Sequence, residues 1–211
     1  MSKFITLITL CACAFLTSCA KPDLTGQTAE YYYRQMAWEI GRNNLDKAGD
    51  HYSSLASEHF ASSLLKEATL MMADAHIDKE EHLLANFYLD EYIKRYGNRE
   101  NSDRVNFLKL IADYKGIRLP MRDQRLIMDT ALKSREFADR FGSSELAIYA
   151  LTLNTKIRLA QAELYASAAK LYAKNGKEKA AAMYGDISRA IPIDEGSYES
   201  SRRSWVRQLF E

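Results

Sequence analysis

A small residue, then a larger one four positions on, then another three later: this spacing recurs at Ala48, Tyr52 and Leu55, at Ala85, Leu89 and Tyr92, and at Ala180, Tyr184 and Ile187. Thr130, Ser134 and Phe137 repeat the offsets in degenerate form. Steps of four and three return to one face of an α-helix. Each set therefore marks a helix with a small residue at a close crossing and large ones filling the groove beside it. A bulky closing residue follows each set, at Phe60, Tyr96, Phe141 and Ile191. No helix in such a series buries its apolar face alone, so the chain must stack helix pairs into a continuous core. The rest of the sequence agrees. The 211 residues hold only 3 prolines, alternating strand patterns are absent, and Ala, Leu, Lys, Glu and Arg prevail. The fold class is all-α.

The closing residues lie 36, 45 and 50 positions apart. A tetratricopeptide-like helix pair has a period of about 34 residues, so the first interval fits and the others need a longer connection and a longer helix. Gly116 to Gln124, with Leu119-Pro120-Met121, supplies the connection. The long helix runs from a Ser143-Ser144-Glu145 start to an Asn175-Gly176 stop. Its seam is Leu146, Ala150, Leu153, Ile157, Ala160, Leu164, Ala168 and Leu171. At ~45 Å it is long enough to act as a spine between two halves of an α-solenoid of about five helix pairs. In the first helix Tyr33, Met36, Ala37 and Ile40 form the expected core stripe, as Val105, Leu108 and Ala112 do later. Ala85 is expected at a close crossing and Lys133 at a solvent-facing position. Tyr31, Gln35, Trp38 and Arg42 occupy a second stripe of the first helix that could face the solenoid groove, packing on the second helix being the alternative. Tyr165 and Tyr172 flank the spine seam, as core of the last repeat or as a docking face.

The N-terminus has a separate role. Lys3 precedes an apolar run, Phe4 to Phe15, too short to span a bilayer, and small residues lead to Leu16-Thr17-Ser18-Cys19. This is the pattern of an export signal, and its ending resembles the lipobox of bacterial lipoproteins. The resemblance implies cleavage before an acylated Cys19, with several acyl chains making the anchoring durable. Residues 1–18 are thus the expected signal peptide, 19–28 a lipidated tether containing Pro22 and Gly26, and 29–211 the helical repeat domain. Ala20 stands where lipoproteins kept at the inner membrane often carry Asp, which by that resemblance places this one at the outer membrane, on the periplasmic side.

Cys11 and Cys13 leave with the signal, so no disulfide can form within one mature chain. The signal takes away Lys3 and no acid, leaving 28 basic and 28 acidic side chains, a balance that argues against nucleic acid as a partner. Catalytic chemistry finds no footing. His76 and Glu80 have i, i+4 spacing, but His51, His59, His76 and His82 form no HExxH pattern, so no metal is expected. Ser53, Ser54 and Ser57 lie near His51 without a GxSxG turn, and the 9 glycines form no nucleotide-binding loop. Neither an enzyme nor a cofactor is expected.

Leu45-x-x-Ala48 through Phe60, Ala85 through Tyr96, Asp103-Arg104-Val105, Arg122-Asp123, and Ala169-x-Leu171-Tyr172-x-x-x-Gly176 together resemble the BamD family, over most of the mature chain. That resemblance implies a non-catalytic outer-membrane lipoprotein scaffold in β-barrel assembly. It would bind periplasmic domains of BamA and unfolded outer-membrane barrel proteins. Substrate recognition would fall to the N-terminal repeats, with Tyr31, Gln35, Trp38 and Arg42 as candidates. Docking on BamA would fall to the C-terminal repeats, with Tyr172, Arg189, Arg202 and Arg203 as candidates on a locally basic surface. The alternative is an exported repeat adaptor serving secretin assembly or cell-wall processes.

Overall fold

The computed structural model describes residues 26–98, 102–119 and 122–193. Among them lie eight helices: α1 (Ala29–Gly41), α2 (Leu45–Glu58), α3 (Ser63–Asp78), α4 (His82–Tyr96), α5 (Ser102–Lys115), α6 (Gln124–Arg140), α7 (Leu146–Lys174) and α8 (Glu178–Ala190). Consecutive helices form four antiparallel pairs stacked as a tetratricopeptide-like solenoid. Whatever residues 194–211 add to the expected five lies outside the described residues.

Three of the four intra-pair turns are built alike. After α1, α3 and α7 the chain passes through a left-handed residue, Asn43 (φ 63°), Glu80 (φ 60°) and Gly176 (φ 70°). In each, the next residue's amide donates back to a carbonyl five positions earlier: Asn44 to Glu39, Glu81 to His76, Lys177 to Tyr172. These are Schellman closures that satisfy the last carbonyls of one helix while the same residue opens the next. The third pair has the longer connection instead. There the Asp123 carboxylate accepts from the amides of Arg118 (3.2 Å) and Leu119 (2.8 Å), and Arg118 pairs with Glu80 at 3.0 Å. Gly116 is required at the start of this loop, because a Cβ there would lie 2.6 Å from the His82 ring.

The core divides in two. Tyr32, Met36, Ala48, Leu55, Leu65, Met72, Ala85 and Leu89 knit α1–α4 together, with Val105 and Ala112 of α5 closing the cluster. Leu110, Ile117, Ile127, Ala131, Phe137, Ala150, Leu153 and Ile157 form the second cluster between α5, α6 and the first half of α7. The small-and-large pattern of α2 and α4 is buried as expected, and Thr130, Ser134 and Phe137 of α6 are buried too.

Elsewhere the structure corrects the pattern. The α1 stripe is centred on Tyr32 and Met36, with Tyr33 and Ile40 only flanking it, because the Tyr32 hydroxyl reaches Glu58 at the end of α2. Phe60, expected to close the first repeat, is 74% exposed, and His59 turns inward in its place. In the last pair the turn register assigns Ala181, not Ala180, to the position of Ala48 and Ala85, since Lys177 opens α8 as Asn44 opens α2 and Glu81 opens α4. Helix α8 has no fully buried residue, Ile187 is partly exposed, and the seam of α7 runs out before Leu171, which is 58% exposed. Lys133 is not a bystander either: its ammonium lies on a buried carboxylate, as described below.

Candidate functional site

The proposed substrate stripe lies on α1, a helix capped by Thr28, whose hydroxyl accepts from the Tyr31 amide at 3.2 Å. Trp38 is 54% exposed, and the Arg42 guanidinium sits 4.4 Å above its ring. Tyr31 is half-buried, edge-on to Tyr32 at 5.8 Å, and Gln35 is half-buried beside it. The four residues therefore share one face, with Trp38 and Arg42 offered to solvent and Tyr31 partly spent on the core. An exposed indole stacked by a cation gives a flat, amphipathic contact surface.

The C-terminal candidates are less uniform. Tyr172 stacks on Tyr184 at 5.1 Å with an interplanar angle of 7°, and Tyr165 stacks on the same ring at 6.1 Å. These rings bind α7 to α8, so the ambiguity over Tyr165 and Tyr172 resolves toward packing of the last pair, with Lys177 6.0 Å from the Tyr172 ring at its edge. Arg189 is exposed and paired with Asp186. Cys19, Arg202 and Arg203 lie outside the described residues.

The polar interior holds a cluster that sequence spacing does not announce. Asp113 of α5 is 2% exposed; its Oδ1 accepts from Asn86 of α4 at 2.6 Å and its Oδ2 from Lys133 of α6 at 2.7 Å. Beside it, a cleft of about 260 Å³ between α5 and α6 is lined by Lys109, Lys133, Phe137, Arg140 and Phe141. A second link ties α5 to the start of α7, where the Ser144 hydroxyl donates to Asp103. That bond, with the Arg104 amide, holds the Asp103 carboxyl below the usual carboxylate range. His76 Nδ1 meets Glu81 at 2.7 Å, and its ring stacks on Tyr88. No group of side chains suited to a metal ion occurs among the described residues. No helix among them is long and apolar enough to cross a membrane.

Fold and surface together define a helical-repeat protein with exposed aromatic and charged side chains. Comparison with known proteins makes this specific. A family described as YfiO, outer membrane lipoprotein, matches residues 26–186. The outer membrane protein assembly factor BamD of Helicobacter pylori is 36% identical over 213 residues, covering 99% of this chain and 97% of that protein. The protein of the same name from Caulobacter vibrioides is 24% identical over 186 residues, covering 84% of this chain and 60% of that one. The chain belongs to the YfiO/BamD family of outer membrane lipoproteins.

Proposed function

We propose that this chain is an assembly factor for outer membrane β-barrel proteins, acting as a lipid-anchored scaffold without a catalytic step. The observation that carries the reading is the match to a BamD protein, 36% identical over 99% of this chain and 97% of that protein. The anchor is assigned to Cys19, at the end of a lipobox-like segment, on the periplasmic face of the outer membrane. Unfolded barrel proteins meet the N-terminal repeats at the Tyr31, Gln35, Trp38 and Arg42 face. The extended strand of such a substrate alternates apolar and polar side chains, and the exposed indole and guanidinium offer one contact of each kind. BamA meets the C-terminal end, where Arg189, Arg202 and Arg203 supply positive charge, while Tyr172 acts mainly by holding α8 in place.

The test is purification of the tagged, lipidated chain from membranes and identification of what comes with it. BamA is expected in the eluate, and Arg202→Glu with Arg203→Glu should release it without loss of helicity. An eluate lacking BamA but holding a secretin or a cell-wall enzyme would replace this reading with the adaptor alternative.

A further inference from the structure

Phe60 is the largest apolar side chain at the α2–α3 turn, and it points away from the protein, 74% exposed. Its outward direction is built in. The preceding His59 is held inward by its Nε2 at 2.7 Å from the Gln27 carbonyl and by its ring 6.0 Å from that of Tyr32. The Ser62 amide donates to the His59 carbonyl at 2.9 Å, and the Ser62 hydroxyl caps α3 by accepting from the Leu64 amide. The turn is thus fastened on both sides of Phe60.

The same turn receives the N-terminal end of the described chain, residues 26–28. The Gly26 amide donates to Glu58 Oε2 at 2.9 Å, the Gln27 amide donates to the Tyr32 hydroxyl at 3.2 Å, and that hydroxyl donates to Glu58 in turn. Gly26 adopts φ 77°, a conformation that suits glycine and turns the chain into this clasp. The anchor candidate Cys19 precedes Gly26 by only seven residues. Fully extended, that length of chain spans ~25 Å, so the clasp and Phe60 cannot leave the neighbourhood of the anchored cysteine. The opposite ends of these helices, at the Asn43 and Glu80 turns, carry no such constraint.

We propose that the α2–α3 turn is a membrane-contacting surface, with Phe60 resting in the lipid interface beside the anchor. Its occupant is the bilayer itself: an exposed aromatic ring within a short reach of acyl chains finds its apolar environment there. The clasp at Glu58 and His59 then sets the tilt of the solenoid relative to the membrane. This inference rests on the lipid anchor at Cys19.

The experiment uses the full, processed chain reconstituted in phosphatidylethanolamine–phosphatidylglycerol vesicles. Phe60→Cys and, at the far end of α2, Lys47→Cys each carry an environment-sensitive fluorophore, and nitroxide-bearing lipids serve as quencher. The label at 60 is expected to shift to the blue and lose emission to the nitroxide lipids, while the label at 47 does neither. Equal, weak quenching at both positions overturns the membrane contact. Shielding of the label at 60 in native membranes but not in vesicles overturns it too, in favour of a protein neighbour. The mass of the N-terminal peptide reports the anchor separately: an unmodified Cys19 removes the anchor reading and this inference with it, whereas an acylated Cys19 with an unquenched label removes only the inference.

Discussion

Lys133 Nζ lies 2.7 Å from Oδ2 of Asp113, a carboxylate whose side chain is 3% exposed. The pair joins α5 to α6, and Asn86 brings α4 to the same carboxylate, so a single buried charge fastens the second helix pair to the third. Lys133→Met should cost about 1–3 kcal/mol, because it strands a carboxylate that water cannot reach. Adding Asp113→Asn should recover part of that loss. Urea unfolding of the two variants checks this, and an unchanged midpoint for Lys133→Met would deprive the pair of any structural weight.

Ala85 is fully buried at the crossing of α4 with its neighbours, so Ala85→Leu should destabilise by about 1–3 kcal/mol through overpacking. A fair control is Lys47→Leu, on the exposed face of α2, with an effect within about 0.5 kcal/mol. Ala180→Leu should also be mild, since α8 buries no residue fully. Thermal melts that rank Ala180→Leu with Ala85→Leu would contradict the contrast drawn between the first and last pairs.

Trp38 contributes its ring to solvent and to Arg42 rather than to the core. Trp38→Ala should leave far-ultraviolet circular dichroism unchanged while weakening binding of a peptide that carries the C-terminal strand of a barrel protein, by about 5- to 30-fold for a loss of 1–2 kcal/mol. Tyr31→Ala is the less selective probe, because Tyr31 also packs on Tyr32. Identical titrations for Trp38→Ala and the parent would return this stripe to a purely structural role.

The Asp74 carboxyl, on a residue of α3 still exposed to solvent, is raised from its ordinary value, first by partial desolvation and then by Asp78, with Arg104 and Lys115 pulling the other way. An acid whose proton is held more tightly in the folded chain than in the unfolded one opposes folding once the pH exceeds both values. That penalty fades as the pH falls below the unfolded value. Asp74→Asn should therefore raise the melting temperature at pH 7, and the gain should vanish below about pH 4. A gain that persists unchanged in acid would point to a cause other than charge.

How far the sequence disclosed the fold depended on whether a residue type is tied to its position. Ala48 and Ala85 were legible because only a small side chain fits a close crossing, and Gly176 because a left-handed turn favours glycine. Asn43 and Glu80 make the same turn with side chains that also occur mid-helix, so the equivalence of the three closures emerges only in space. Tyr31, Tyr32 and Tyr33 are three equal rings in a row, and what selects Tyr32 for the core is Glu58, twenty-six positions away. The run Ala180-Ala181-Ala182 blurs register in the same way. Likewise His59 and Phe60 are adjacent and bulky, and the choice between them is made by the Gln27 carbonyl. Nor does anything local mark Asp113 as buried, or Lys133 as the group that neutralises it.

The 29-residue helix α7 is seated in the second core as far as Ile157, after which it carries α8 on the stacked rings of Tyr165, Tyr172 and Tyr184 and on the bond from the Ser188 hydroxyl to the Ala162 carbonyl. The stretch from Ile157 to Lys174 makes an arm of ~25 Å. A partner that grips α8 therefore acts with leverage: a small displacement at the tip becomes a torque on Leu153 and Ile157, and through them on the α5–α6 pair that Asp113 fastens to the rest.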